Sequence, residues 1–171
     1  MALFHSFRAQ FALIAFICAA LLAFAYYVQF KLFIDPCPLC ILQRVAFLAL
    51  GVIALIAALH GPRGAGRKVY GLFALVVAAV GAGIALQHVR LQNLPPDQVP
   101  ACGPGLNYMI ETLPLGDALR KAFTGSGECV KVDWAFLGLS MPTWTLIWFV
   151  ALGLWALFAA MQRPPGPRRW H

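Results

Sequence analysis

The chain has 171 residues, of which 61% are hydrophobic and 11% charged, and it carries a net charge of +7 with a mean hydropathy of +0.78. Soluble domains are about half apolar and about a quarter charged. One small water-soluble core cannot hide this much apolar surface, so a bilayer is the expected solvent and a single integral membrane domain over residues 1–171 the expected organisation.

The first element runs from Phe11 to Phe30, 20 residues without a charge. Arg8, the apolar run to Leu22 and the triplet Ala23-Phe24-Ala25 also have the layout of a cleaved leader. Apolar residues continue through Phe30, however, so a retained span is expected. Cys18 lies in its middle and reads as a small packing residue. The second element is short: Val45 to Leu59 gives 15 residues, about 23 Å of helix against a hydrocarbon layer of about 30 Å. It reaches span length only by starting at Cys40, which puts Arg44 inside the membrane. Val69 to His88 and Trp144 to Met161, 20 and 18 residues long, supply two more. The expected fold is all-α, a four-transmembrane-helix bundle with spans at about 11–30, 40–59, 69–88 and 144–161.

About 50 residues, 90–142, join the last two spans, too many for a passive connection. Within them Leu106 to Phe123 mixes apolar and charged side chains. It is expected to form short amphipathic helix, broken near Pro114 and lying on the membrane surface. Trp134 to Leu139 then returns to the bilayer, where Trp134 and Trp144 suit an interfacial aromatic belt.

Four spans place the N-terminus, the loop Gly61 to Lys68 and the C-terminal tail on one side. That side holds Arg8, Arg63, Arg67, Lys68, Arg163, Arg168 and Arg169 and no acid, whereas the six bases and six acids of the other side cancel. The rule that basic loops stay inside makes both termini cytoplasmic and the 90–142 loop external. The three arginines of the tail, scattered beside prolines, make no element that reads a nucleic acid, and no nucleic-acid partner is expected.

Cys37, Cys40, Cys102 and Cys129 all fall on the outer side, where disulfides persist. Three readings compete. A zinc site wants two close cysteine pairs, and Cys102 and Cys129 are far apart in sequence. Structural bridging suits Cys102 with Cys129, where a closed loop of this size is worth about 3 kcal/mol, but a C-x-x-C bridge gains little. A thiol–disulfide relay uses C-x-x-C as its working unit and fits best. Cys40 sits at the start of a helix, where unpaired N–H groups favour an anion. Arg44 lies one turn deeper on the same face, and an arginine within a span either snorkels or has a functional partner. Gln87 and His88 end the third span at a comparable depth. Cys40, Arg44 and His88 together would suit an electron-poor, carbonyl-bearing, lipid-soluble molecule such as a quinone.

The ordered set Cys37-x-x-Cys40-x-x-x-Arg44, Gln87-His88, the pair Cys102 and Cys129, and the run Trp134-Ala-Phe-Leu-Gly-Leu-Ser-Met-Pro142 resembles the bacterial disulfide-bond-forming membrane protein B (DsbB) family over nearly the whole chain. The resemblance implies a multi-pass protein of the bacterial inner membrane that reoxidises a periplasmic, DsbA-type thioredoxin-fold oxidase. It implies catalytic Cys37, Cys40, Cys102 and Cys129, with Arg44 and His88 binding ubiquinone or menaquinone, and no metal. In the implied relay the partner attacks a Cys102–Cys129 bridge, Cys129 then engages Cys37, and Cys40 is released towards the quinone. Two alternatives remain at this level: a thiol-transferring membrane protein without quinone, and a scaffold with static disulfides.

Overall fold

In a computed structural model the chain forms four long helices. The structure describes residues 6–33, 36–95, 114, 116–117, 127–130 and 135–162. Helix α1 is Phe7–Leu32, α2 Pro38–His60, α3 Ala65–Gln92 and α4 Met141–Met161. All four are long and apolar enough to cross a membrane, and the chain is a multi-pass membrane protein. Their 21 to 28 residues amount to about 32–42 Å of helix, so each runs past the apolar stretch that marks it in the sequence.

Local chemistry sets the ends. The Ser6 hydroxyl accepts from the Ala9 N–H at 3.2 Å and caps α1, and Phe33, in the left-handed region at φ 51°, ends it. Helix α2 starts with Pro38 in its first turn, where the missing N–H costs nothing. It stops at Gly61, whose φ of 58° lets its N–H bond Ala57 O at 3.0 Å. The stretch that reads as only 15 apolar residues is therefore a helix of 23 residues that includes Cys40 and Arg44.

The helices pack in sequence order, α1 on α2, α2 on α3 and α3 on α4, with a lighter α1–α4 contact closing the bundle. Its centre is a stack of Phe47 on Phe149 with centroids 3.9 Å apart, surrounded by fully buried Phe11, Ile14, Leu50 and Leu152. Lipid gives helices no hydrophobic reason to associate, so close backbone approach has to supply the attraction. Gly71 accordingly faces the Ala160 methyl, Gly81 the Phe149 ring and Gly153 the Ala78 methyl. Phe16, Leu59, Leu72 and Leu154 point outward, as a hydrocarbon solvent permits.

One end of the bundle holds the start of α1, the α2–α3 connection and the end of α4. There Arg8 Nε donates to Ala58 O at 2.8 Å and Arg67 Nη2 to Ala159 O at 2.9 Å, two cations on helix C-terminal carbonyls. Gln10 Nε2 donates to Gln162 Oε1 at 2.9 Å. At the other end stand the start of α2, the end of α3, a 3-10 turn at Gly127–Val130, and a hairpin of β1 (Ala135–Phe136) and β2 (Leu139–Ser140). Leu137 and Gly138 turn the hairpin with φ of 53° and 77°, the twist that two-residue hairpins favour. The expected amphipathic pieces between Leu106 and Phe123 fall almost wholly outside the described residues, as does Trp134.

Candidate active site

The end that carries the hairpin gathers the sulfur chemistry. Cys37 is the N-cap of α2, and its Sγ accepts from the Cys40 N–H at 3.4 Å. The flanking Pro36 and Pro38 restrict the backbone on either side. One helical turn then brings the two sulfurs to 3.0 Å, both as thiols.

Cys129 reaches this pair from the 3-10 turn at Gly127–Val130, which packs against α3. It is fully buried with Cys37, Leu39, Ile84 and Leu91 around it. His88, one turn before the end of α3 and 3% exposed, points Nε2 into the same space, 3.8 Å from Cys37 Sγ and 3.2 Å from Cys129 O. The ligating atoms of Cys37, His88 and Cys129 all lie within 4.8 Å of one another.

The imidazole is held from behind. Gln43 Nε2 donates to His88 Nδ1 at 3.3 Å, and Thr145 Oγ1 of α4 faces Gln43 Oε1 at 2.9 Å and Pro142 O at 2.8 Å. In this amide orientation Nδ1 is the acceptor, so Nε2 carries the proton and donates towards Cys129 O and Cys37 Sγ. Gln43 is 4% exposed, and the burial is tolerable because both ends of its amide are bonded.

Arg44 belongs to a different face. Its Nη1 donates to Gln29 Oε1 and its Nη2 to Ala25 O at 3.3 Å, with the guanidinium 4.9 Å from the Tyr26 ring centroid. All three partners are on α1. Arg44 thus sits a turn below Cys40 on the α1 side, while His88 faces Cys37 and Cys129. The structure brings Cys37, Cys40, Cys129 and His88 together and gives Arg44 and His88 separate sets of partners. Cys102 lies outside the described residues. Cys18 is buried in the bundle centre, in a packing cluster separate from the other sulfurs.

Gln43, Thr145 and Gln29 were not singled out from the sequence. Gln43 had a readable signal: it follows Leu39 and precedes Phe47 by four residues each, so it shares the inward face of α2, where a polar side chain needs a partner. Thr145 and Gln29 carry no comparable mark.

The family model "Disulfide bond formation protein DsbB" matches residues 7–159. A Disulfide bond formation protein B of Xanthomonas campestris pv. campestris (strain 8004) is 52% identical over 164 residues, 95% of each chain. Those of Nitrosococcus oceani and Marinobacter nauticus are 54% identical over 153 residues and 48% over 160, covering 90% or more of both chains. With four membrane-spanning helices, a sulfur cluster at one end and relatives that match over 90% or more of both chains, the chain belongs to the DsbB family.

Proposed function

We propose that this protein is a quinone-dependent thiol oxidoreductase. It reoxidises a periplasmic, DsbA-type dithiol oxidase by passing electrons through Cys102 and Cys129, then Cys37 and Cys40, to membrane quinone. The observation that carries the reading is the convergence of Cys129, from the long loop, with Cys37 at the head of α2. Relatives named for disulfide bond formation support it. The cysteine-bearing end is then the periplasmic face of the inner membrane, with both termini cytoplasmic.

The residues at the head of α2 fit a lipid-soluble carbonyl acceptor. Arg44 uses two of its five N–H donors on α1 among the described residues. The others remain for a carbonyl oxygen, a turn below Cys40 and within the span. Quinone bound there would be held by Arg44 and would accept two electrons and two protons to leave as quinol. His88 is assigned to the thiol side of the same centre, where its Nε2 can hold or release a proton at Cys37 Sγ.

The chain's own steps balance as thiol–disulfide exchange. A partner thiolate attacks Cys102 of a Cys102–Cys129 disulfide, and Cys129 leaves as thiolate. Cys129 attacks Cys37 of the Cys37–Cys40 disulfide, forming Cys37–Cys129 and releasing Cys40 as thiolate at a helix N-terminus that favours an anion. The second partner thiol resolves its bond to Cys102 and leaves the partner oxidised. Cys102 thiolate then attacks Cys129, restoring the loop disulfide and freeing Cys37. Two electrons and two protons now reside on Cys37 and Cys40. A DsbA-type partner is itself a strong oxidant, so its regeneration needs a still more oxidising sink, which a quinone supplies.

Purified protein mixed with a reduced dithiol partner and a quinone should form quinol, and Cys40→Ser should abolish it. Thiol exchange that persists after quinone extraction, with no quinol formed at any stage, would instead favour a quinone-free thiol-transfer protein.

A further inference from the structure

We propose that the reduced cluster is also a metal site. Cys37 Sγ, Cys129 Sγ and His88 Nε2 bind one cation of the Zn²⁺ class whenever the two thiols are not held in disulfides. The sequence expectation of no metal rested on the separation of Cys102 from Cys129. It did not foresee that the turn at Gly127–Val130 would bring Cys129 beside Cys37 and His88.

The geometry is close to what such a cation needs. Zn–S bonds of about 2.3 Å and Zn–N bonds of about 2.0 Å set tetrahedral ligands about 3.5–3.8 Å apart. The three donor atoms lie within 4.8 Å of one another, so they have about 1 Å to close. They come from three elements, the head of α2, the end of α3 and a four-residue turn, and all three side chains are buried. Two thiolates and an imidazole are ligands for Zn²⁺, Cd²⁺ or Cu⁺ rather than Mg²⁺ or Ca²⁺.

His88 has a means of becoming a ligand. Rotating the Gln43 amide by half a turn places Oε1 against Nδ1–H and leaves Nε2 with a free lone pair. Thr145 then donates to Pro142 O, already 2.8 Å away, and accepts from Gln43 Nε2. A metal-bound histidine whose other nitrogen is fixed by an oxygen acceptor is the common arrangement. Binding releases the two thiol protons, and the fourth coordination position is open to water.

Metal binding does not depend on the electron acceptor. Its consequence does rest on the relay proposed above. The cation would occupy Cys37 and Cys129, the two sulfurs that must bond to each other, and would hold the enzyme reduced and stopped.

The test uses full-length protein in detergent, reduced anaerobically and freed of reductant, titrated with Co²⁺ and with Cd²⁺. One Co²⁺ per chain with the intense visible bands of tetrahedral thiolate coordination is expected, and no such bands from oxidised protein. Cys37→Ser, Cys129→Ser and His88→Ala should each weaken binding tenfold or more, whereas Cys18→Ser should not. Metal-free thermal unfolding checks each variant, and His88→Gln replaces His88→Ala where alanine disrupts the fold. Absence of tetrahedral bands from reduced wild type overturns the proposal. So does wild-type affinity in Cys129→Ser and the His88 variant, which would leave only a Cys37–Cys40 chelate. Quinol formation is not among the readouts, so failure of the metal site and failure of the quinone reading are separately visible.

Discussion

Replacing Gln43 with leucine tests whether the Thr145–Gln43–His88 chain holds the site together. The side chains are similar in size, and position 43 is 4% exposed, so the change is chiefly one of hydrogen bonding. Gln43 donates to His88 Nδ1 at 3.3 Å and faces Thr145 Oγ1 at 2.9 Å. Thr145 keeps Pro142 O at 2.8 Å when Gln43 is removed, so one group is stranded, the buried Nδ1 of His88. A stranded buried polar group costs about 1–3 kcal/mol. At about 2–4 °C per kcal/mol for a chain of this size, Tm should fall by about 2–12 °C. Thr145→Val strands Gln43 Oε1 and should cost a similar amount. The double variant strands less than the two singles together, so its cost should fall short of their sum by about 0.5–3 kcal/mol. Gln43→Glu keeps an acceptor for a protonated Nδ1 and should retain most of the stability. The measurement is thermal unfolding of full-length protein in detergent, followed by tryptophan fluorescence. An unchanged Tm for Gln43→Leu, or additive costs in the double variant, would refute the chain as drawn.

Arg44→Leu should lower quinol formation about 10²–10³-fold, the usual effect of removing a donor that stabilises developing negative charge. Exchange between a dithiol partner and the cysteines should persist, as stopped-flow mixing would show. Gly81→Leu drives a side chain into the Phe149 ring, which is fully buried and stacked on Phe47. It should cost about 1–3 kcal/mol by overpacking. Gly83→Leu, with nothing within 4 Å of its added Cβ, should leave Tm nearly unchanged in the same scan. Cys18→Ala should leave turnover intact and lower stability by about 1 kcal/mol, since Cys18 packs in the bundle centre away from the other sulfurs.

Much of the architecture was legible because the bilayer leaves few choices. Three apolar runs of sufficient length and a fourth that falls short imply four helices, and the count that forced α2 to begin near Cys40 located Arg44 in the span. Cys37 and Cys40 could be paired from spacing alone, since one helical turn joins them. Cys129 could not be placed, because no local pattern reports that a short turn will pack on α3 beside His88. The thiol-side neighbours of His88 were hidden for a related reason. Depth along α3 suggested company with Arg44, but direction around the helix decides neighbours, and Nε2 points at Cys37 and Cys129 while Arg44 turns to Gln29 and Ala25 on α1. The hairpin at Ala135–Ser140 was likewise unreadable as such, because its turn depends on Leu137 adopting a positive φ that leucine seldom takes.

The central claim is that electrons leave protein thiols through this cysteine cluster to a quinone. Its most direct test is quinol formation from a reduced DsbA-type dithiol, measured with wild type and with serine at Cys37, Cys40, Cys102 and Cys129 in turn. The account predicts one quinol per partner disulfide in wild type and loss of turnover in all four variants, with Cys40→Ser unable to form the Cys37–Cys40 disulfide that Cys129 attacks. Undiminished quinol formation in Cys40→Ser, or partner oxidation without quinol in wild type, would contradict it.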